Sequence, residues 1–342
     1  MEIYANQLLK GVRSLLHEHE KIVDCLPANV RLQPRYARYW DQYVRYQRFS
    51  RVFKGDVNHI IDHGYGHLVR SLPAHRTVVT FHDATVTKVE TVSRSTRLSL
   101  RYSLMAIRKA AMVIAVSQHS RRDFLNLVVY PEDRVKVVYS GIDPSFQVMP
   151  DREALKRRYN LPDKYILNVG HTLSYANLER VFLVLDCLVR GYGMDIYLVR
   201  VGDRFTSEQD MLLDKLNLRE RVVQLGKLPL RDLPAIYNCA EVLLFPVLYA
   251  GFGFPPLEAM ACGTPVVCSN RGSLPEIVGD AAIMTDPEDH QQMAAQIAAL
   301  LTDGGLRDAY RAKGLQQARR YSWDETARNI LKIYREVYEG AC

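Results

Sequence analysis

Residues 245–271 read FPVLYAGFGFPPLEAMACGTPVVCSNR, and this stretch decides the fold of the 342-residue chain. The apolar run over 241–246 leads into it and predicts a buried parallel strand. A loop over 249–254 follows. Pro255 and Pro256 then open a short helix over 257–262, which Gly263 ends, and a second strand is expected over 264–268. This order of strand, loop, helix and strand is the repeating unit of a parallel α/β sheet.

The loop and helix of this stretch also predict an anion-binding point. A glycine-containing loop that runs into a helix leaves backbone N–H groups unpaired and directed at one place. That place favours an anion such as a diphosphate. Glu258 lies in the first helical turn, where a carboxylate can simply complement the helix dipole.

Composition is that of a globular protein, with 48% hydrophobic and 24% charged residues. The length is enough for two domains with substantial cores. No apolar run reaches the roughly 18 residues of a membrane-spanning helix, and no secretory signal is visible at Met1. The six cysteines are scattered without Cys-x-x-Cys spacing, which favours reduced thiols in a cytoplasmic protein over disulfides or a metal site.

Net charge is +7, which suits phosphorylated ligands, an anionic membrane surface or simply a solvated basic surface. Two segments concentrate this charge. An Arg/Tyr-rich helix is expected over 35–53, and a basic amphipathic helix over 94–110. Each is read first as a helix packed on its apolar side with arginines in water, and second as a face for anionic lipid. For the Arg/Tyr helix a nucleic-acid face is also open, but no nucleic-acid-binding module is recognisable, so no such partner is expected.

The first half of the chain is expected to form one α/β domain. A helix is predicted over 2–16, with strands over 21–26, 57–61, 76–83, 112–117 and 134–139. Ser117 is placed to cap a helix over 118–126. Two histidine-containing loops, 62–67 and His82-Asp83, follow neighbouring strands. Since ligands of open α/β sheets lie outside the carboxyl ends of strands, these loops mark a candidate site.

The second half alternates strand and helix regularly from residue 165 to about residue 301, which predicts a parallel sheet covered on both faces. A final amphipathic helix is expected from Ser322 to Tyr338. The predicted organisation is a first domain over 1–145, a second over 146–322 and the last helix over 323–342.

The run GFGFPPLEAMACGTPVV, with 273-SLPEI-277 and 279-GDA-281 behind it, closely resembles the nucleotide-sugar signature of the GT4-type retaining glycosyltransferases. The resemblance implies the GT-B fold, in which two Rossmann-like doubly wound domains face a central cleft and the last helix crosses back to the first domain. It also implies transfer of a hexose, with retention of configuration, from a nucleoside diphosphate sugar. The acceptor would be a saccharide or lipid-linked saccharide in polysaccharide biosynthesis, and the enzyme would work in the cytoplasm or at the inner face of the membrane. The similarity is to mannosyltransferase-like members, so GDP-mannose is the first donor expected, and no metal or other cofactor is implied.

The same resemblance assigns residues. It places His82 toward the reacting sugar and Glu258 on the donor ribose. The donor is expected to contact residues on two loops and one helix, namely Gly170, His171, Phe252, Gly253, Phe254, Pro256, Leu257 and Glu258.

Three features depart from the family pattern. Ala176 stands where a lysine usually contacts the leaving phosphate, and Ala250 where a first glutamate usually precedes Glu258 by eight positions. The usual first strand and its Gly-Gly loop are absent before the helix over 2–16, which indicates either a truncated chain or another element at that place in the sheet. Losing one preorganised charge typically costs about 3 kcal/mol of transition-state stabilisation. The sequence therefore leaves three accounts open: an active enzyme with shifted cations, for which Arg180, Arg200 and Arg204 are candidates, an impaired or inactive homologue, or an altered sequence.

Overall fold

The computed structural model describes residues 2–24, 44–52, 54–88 and 93–340. The chain divides into two compact units, Met1–Gly141 together with Ser322–Cys342, and Ile142–Tyr321. Both units are built on parallel sheets with helical connections, which confirms the predicted α/β class. Cys25, Leu26 and most of the predicted helix over 35–53 lie outside the described residues.

The first unit has a four-stranded parallel sheet in the order β1-β2-β3-β4. Its strands are β1 Asn58–Ile60, β2 Thr77–Phe81, β3 Met112–Ala115 and β4 Val135–Val137. Its helices up to residue 141 are α1 Glu2–Arg13, α2 Tyr46–Val52, α3 Thr85–Lys88, α4 Arg94–Ile107 and α5 Gln118–Leu127, with a 3-10 helix over His63–Arg70. All residues of β2 and β3 are buried, as is typical of central parallel strands rich in Val and Ile. Ser117 caps α5 by accepting a bond from the Ser120 N–H, as predicted.

The predicted strand over 21–26 is wrong for its described residues, since 21–24 have no strand structure. Val23 is 69% exposed, and of the two apolar residues in 21–24 Ile22 is the one that packs against the core of this unit. The Glu20 carboxylate just before it pairs with Arg335 at 3.0 Å. This ion pair holds the segment against the end of the chain instead of at the sheet.

The second unit has a six-stranded parallel sheet in the order β10-β9-β8-β5-β6-β7. Its strands are β5 Tyr165–Gly170, β6 Tyr197–Gly202, β7 Val222–Gly226, β8 Val242–Phe245, β9 Val266–Ser269 and β10 Ile283–Thr285. Its helices are α6 Arg152–Tyr159, α7 Leu178–Asp186, α8 Ser207–Lys215, α9 Leu233–Cys239, α10 Phe254–Ala261, α11 Leu274–Val278, α12 His290–Thr302 and α13 Gly304–Ala318. The chain leaves β5 toward β6 on one side and returns to β8 on the other. The strand order therefore reverses between β5 and β8, and in open α/β sheets the crevice for a ligand lies at this reversal, outside the carboxyl ends of the strands.

Helix α13 was not predicted from the sequence. It starts with two glycines and buries only Gly314, Gln317 and Ala318 among its residues. A helix with so few buried positions has no strong apolar stripe to reveal it. It is set by the Asp303 side chain, which caps its first turn, and by the close approach of Gly314 to Met260.

The last helix, α14 Trp323–Tyr338, belongs to the first unit. Its apolar side packs with α1 in one core cluster that includes Tyr4, Leu8 and Ile330. The two helices approach so closely that a Cβ at Gly11 would lie 2.9 Å from the Cβ of Ala327. Helix α14 thus completes the core of the unit that the start of the chain builds.

Candidate functional site

Ser273 fixes the loop that follows β8. Its backbone N–H donates to the Ala250 carbonyl at 3.1 Å, and its hydroxyl lies 2.5 Å from the Phe252 oxygen and 3.0 Å from the Ala250 oxygen. Gly272, just before it, has a φ of +68°, and a Cβ there would lie 2.8 Å from both the N and the O of Ala250. The shape of this loop therefore depends on backbone contacts at 250–252 and is independent of the side chain at position 250.

Gly253 turns the loop into helix α10. Its φ is +118°, and a Cβ there would lie 2.7 Å from the Leu274 side chain, so both backbone angle and space require glycine. Pro255 and Pro256 follow in the first turn and carry no N–H. At the start of α10 the unpaired N–H groups are thus those of Gly253 and Phe254, because the Leu257 N–H closes the first helical turn on the Gly253 carbonyl. The Leu257 side chain is buried in the core.

Glu258 is held in place by a tyrosine from the preceding helix. The hydroxyl of Tyr237, a fully buried residue of α9, donates to the Glu258 Oε2 at 2.7 Å. Burial raises the pKa of Glu258 to about 7, the bond from Tyr237 opposes the rise, and the nearby Asp143 carboxylate adds to it. Glu258 therefore exchanges its proton near neutral pH, and Tyr237 stabilises the ionised form that can accept bonds from ligand hydroxyls.

Three neighbouring strands end in the same way, with a glycine of positive φ followed by a titratable side chain. The pairs are Gly170-His171 after β5, Gly202-Asp203 after β6 and Gly226-Lys227 after β7, with glycine φ values of +144°, +139° and +69°. The Asp203 carboxylate joins the other two side chains, since its Oδ1 lies 2.7 Å from the Lys227 Nζ and its Oδ2 lies 3.0 Å from the His171 Nδ1. The bonds from Lys227 and His171 hold the pKa of the Asp203 carboxyl below its usual range. We call these three residues the strand-end triad.

Arg200 supports the triad from below. It is fully buried, and its Nη2 donates to the carbonyl oxygens of Gly170 at 2.7 Å and His171 at 2.9 Å, while its Nη1 donates to the Val201 carbonyl. Burial lowers the pKa of Arg200 to about 10, so the side chain stays charged at neutral pH. Both Nη groups donate to backbone carbonyls, so Arg200 holds the loop after β5 in position and does not direct its N–H groups at a ligand.

Ala176 and Ala250 lie on the loops after β5 and β8, at the reversal of strand order. The two loops are tied together, since the Leu248 N–H donates to the Tyr175 carbonyl at 2.8 Å and the Asn177 amide donates to the Pro246 carbonyl at 2.9 Å. Ala176 is only 7% exposed. Neither alanine offers a polar group, so the carboxyl edge of β5 and β8 keeps its backbone frame without the two side-chain charges that the family pattern places there.

His82 lies in the first unit, at the carboxyl end of β2. Its Nε2 lies 2.8 Å from the Ile61 carbonyl, which can only accept, so this nitrogen carries the proton. The Tyr4 ring meets the imidazole edge-on at 4.9 Å, and the His82 N–H lies 3.5 Å from the His63 Nδ1. Burial lowers the pKa of His82, so the ring is neutral and its Nδ1 is an acceptor. The two predicted histidine loops therefore meet at one edge of this sheet.

The structure adds four residues to the site that sequence reasoning did not single out: Tyr237, Ser273, Asp203 and Lys227. The repeated glycine before a titratable residue at three successive strand ends was a usable signal for two of them. Nothing in the sequence linked Tyr237 to Glu258, which is 21 positions away. Among the residues that the structure describes, no group of three or more His, Cys, Asp or Glu side chains is arranged to hold a metal ion.

Two protein-family models match the chain. Residues 151–317 match "Glycosyl transferases group 1", and residues 5–146 match "Glycosyltransferase Family 4". The first match covers most of the second unit, and the second covers most of the first unit up to residue 141, whereas helix α14 lies outside both.

Similar proteins agree with these matches. The O-antigen chain mannosyltransferase B of Escherichia coli is 33% identical over 271 residues, which are 76% of this chain and 70% of that protein. The serotype-specific mannosyltransferase WbdA of E. coli is 31% identical over 247 residues, which are 70% of this chain but only 30% of WbdA. Among solved structures, the sucrose-phosphate synthase of Thermosynechococcus elongatus superposes with a TM-score of 0.78 at 18% identity, covering 98% of this chain and 93% of that one. That structural likeness establishes the fold, which is GT-B.

Proposed function

The chain belongs to the family-4 glycosyltransferases, and from that premise we propose that it moves a mannosyl group from GDP-mannose to a saccharide or lipid-linked saccharide acceptor, with retention of configuration. The observation that carries the proposal is the loop that Ser273 locks after β8, with the N-terminus of α10 and Glu258 behind it, at the reversal of strand order. Mannose as the transferred sugar is supported by the similarity to two mannosyltransferases of E. coli.

The chemistry follows from the charges that develop during transfer. As the bond from the anomeric carbon to the diphosphate breaks, negative charge grows on the leaving phosphate. The N–H groups of Gly253 and Phe254 and the dipole of α10 are suited to stabilise that charge. Glu258, oriented by Tyr237, would accept bonds from the ribose hydroxyls. No metal is needed for these steps.

His82 is proposed to face the transferred sugar. The protonated Nε2 is occupied by the Ile61 carbonyl, so the ring would offer Nδ1 as an acceptor for a sugar hydroxyl. His82→Ala should lower kcat while leaving GDP binding unchanged, because GDP lacks the sugar. Equal loss of GDP affinity would contradict this role.

A second candidate function is a homologue that binds nucleotide sugar but transfers slowly or not at all. It is motivated by Ala176 and Ala250, which leave the site without two charges that a typical member has. Removing one such group typically costs about 100- to 1,000-fold in turnover. The protein would then act as a binding or partner subunit.

One experiment separates the two functions. The parent chain and the double variant Ala176→Lys/Ala250→Glu are tested with GDP-mannose, GDP-glucose, UDP-glucose and UDP-galactose for binding by calorimetry and for transfer and hydrolysis by NMR. Transfer by the parent, with the anomeric configuration of the donor kept in the product, supports the first function. Binding without turnover in the parent and turnover in the double variant supports the second. Absence of binding to every nucleotide sugar would refute both.

A peripheral contact with the inner face of an anionic membrane is also proposed, through α4. None of the helices in the described parts of the chain is long and apolar enough to cross a bilayer. Helix α4 and residues 127–129 at the end of α5 border a groove of about 530 Å³, which is lined by apolar residues and by Arg97, Arg101 and Arg108. Leu98, Met105 and Val129 are 67%, 52% and 84% exposed, and no acidic residue occurs between positions 93 and 122. An apolar face bordered by arginines is suited to an anionic bilayer surface.

Sedimentation with vesicles tests this contact. Binding is expected to phosphatidylcholine vesicles that contain phosphatidylglycerol and not to phosphatidylcholine alone. Leu98→Ser with Val129→Ser should weaken it, whereas Met211→Ser, at a similarly exposed apolar residue of the other unit, should not. Equal binding of all variants would exclude α4 as the membrane face.

A further inference from the structure

The strand-end triad lies on the same edge of the sheet as the anion-binding loop. Parallel strands have their carboxyl ends at one edge, and β5, which carries His171, is the direct neighbour of β8, which carries the loop. Asp203 and Lys227 follow on the next two strands. At roughly 4.8 Å per strand, the triad extends about 10 Å outward from the point where the strand order reverses.

The triad together with the two neighbouring arginines, Arg200 and Arg204, has an excess of positive charge. The single Asp203 carboxylate faces the Lys227 ammonium and the His171 imidazole, with the charged Arg200 guanidinium beneath the loop and the exposed Arg204 next in the chain. Even with His171 neutral, three cations stand against one anion. An anionic ligand at this edge would therefore be attracted by the field of the cluster.

Unused donors point outward from the cluster. Lys227 is 75% exposed, and its ammonium group carries three N–H donors. Among the described residues, its partner is Asp203. His171 is 62% exposed; with its Nδ1–H directed at the Asp203 carboxylate, its Nε2 can donate to an anionic ligand only when the ring carries a second proton. Asp203 thus holds the Lys227 and His171 side chains in position without occupying the remaining N–H groups of Lys227 or the Nε2 of His171.

The positive φ of each glycine explains why these three side chains meet. Gly170, Gly202 and Gly226 all lie in a backbone region that other residues rarely adopt. Each glycine turns the chain at the end of its strand, and the next side chain then points to the common cluster. Gly202 is further fixed because a Cβ there would lie 1.8 Å from the Gly170 oxygen.

We propose that His171 and Lys227, positioned by Asp203, bind the diphosphate of the donor in place of the lysine whose position Ala176 occupies. This inference rests on the proposed function. The charge that a typical member supplies from the loop after β5 is here supplied from the ends of β5 and β7. Ala176 itself is only 7% exposed and carries no charge.

The test measures affinity for GDP and for GMP by calorimetry, because the ratio of the two isolates the contacts of the second phosphate. Lys227→Ala is expected to weaken GDP about 10-fold or more, as loss of one charge-assisted bond does, and to weaken GMP much less. Lys227→Arg should restore most of the GDP affinity. His171→Ala should also lower the ratio, and by less than Lys227→Ala, because the imidazole has a single ring nitrogen left for the ligand whereas the ammonium carries three N–H groups.

A matched control separates the site from general electrostatics. Lys313 pairs with Asp280 at 3.1 Å in the same unit, so Lys313→Ala removes an equivalent lysine of an Asp–Lys pair away from the strand ends. It should leave both affinities unchanged. Thermal unfolding of each variant checks that the fold is intact, which is expected because both lysines are exposed.

The outcomes are distinguishable. If the parent binds GDP and Lys227→Ala keeps the same GDP-to-GMP ratio as Lys313→Ala, the inference is wrong while the proposed function stands. If the parent binds neither GDP nor UDP, the proposed function is wrong and the inference falls with it. A drop in the ratio for Lys227→Ala that Lys227→Arg reverses supports the inference.

Discussion

The loop after β8 and the ends of β5, β6 and β7 share one edge of one sheet, but they differ in side-chain charge. The loop after β8 keeps its shape, through Ser273, Gly272 and Gly253, and has lost the charge at position 250. The strand ends keep both a fixed backbone and a set of charged side chains. The difference indicates that shape at this edge is set by particular small residues, whereas charge can be supplied from any strand whose side chain reaches the ligand.

The largest effect is expected where the frame of the strand ends is broken. Gly202→Ala would place a Cβ 1.8 Å from the Gly170 oxygen and 2.8 Å from the Arg200 Nη1, at a φ of +139°. We expect a loss of about 4 kcal/mol or more in the free energy of unfolding, measured with urea. Gly191→Ala is the control, because Gly191 has open space around its Cβ and no positive φ, and it should change stability by less than about 1 kcal/mol. Similar losses in both variants would mean that the strand ends are not rigid.

Glu258 allows the loop and its helix to be tested by pH. Its pKa is about 7 in the folded protein against an ordinary value of 4.5, so the folded state binds more protons between these two values. Stability from this group is full below about pH 4.5, falls as pH rises and is lost above about pH 7, an effect on the order of 2–3 kcal/mol. Glu258→Gln should therefore be more stable than the parent at pH 8 and similar to it at pH 4.5. A stability difference that does not vary with pH would contradict the shifted pKa.

A substitution at Ser273 tests whether its hydroxyl is needed to fix the conformation of the loop after β8. Ser273→Ala removes the hydroxyl that lies 2.5 Å from the Phe252 oxygen, which should cost about 1–2 kcal/mol of stability. GDP affinity should fall in parallel, since the N–H groups of Gly253 and Phe254 lose their fixed direction. Ser145→Ala, at an exposed serine of the same unit, is the control and should alter neither. Unchanged GDP affinity in Ser273→Ala would separate the shape of the loop from nucleotide binding.

The smallest effect is expected at Tyr237. Tyr237→Phe removes the bond that favours the ionised form of Glu258, so the pKa of Glu258 should rise further, by about 0.5–1 unit. NMR titration of the Glu258 carboxyl carbon measures it directly. A fall in the pKa would show that Tyr237 does not donate to the ionised carboxylate.

The elements that could be predicted from the sequence are those with a strong apolar pattern or with proline or glycine at their ends. The buried strands β3 and β8 are continuous apolar runs, β2 and β5 are largely apolar, and α10 is bounded by Pro255 and Gly263, so each could be found without the structure. Helix α13 has only three buried residues and was missed for that reason. The segment over 21–24 has a strand-like composition. Its position depends on the preceding residue, Glu20, which pairs with Arg335 more than 300 residues away in the chain.

The candidate site divides in the same way. Gly253 and Glu258 stand next to each other in a recognisable signature, whereas Tyr237 and Glu258, or His171, Asp203 and Lys227, come together only through strand order. Sequence reasoning also counted Arg200 among the cations open to a ligand. The structure corrects this, because burial forces its guanidinium onto the backbone carbonyls of Gly170, His171 and Val201.

The contact between Arg200 and its neighbours has a consequence for how this chain can change over generations. Any side chain at position 202 would collide with both the Gly170 oxygen and the Arg200 guanidinium, and a shorter residue at 200 would leave the carbonyls of Gly170 and His171 unpaired. A substitution at either position alone should therefore destabilise the fold, so we expect substitutions at 200 and 202 to occur together. The side chains at 171, 203 and 227 meet no such backbone contact, but the Asp203 carboxylate bonds to both of the others, so we expect position 203 to be more restricted than 171 or 227.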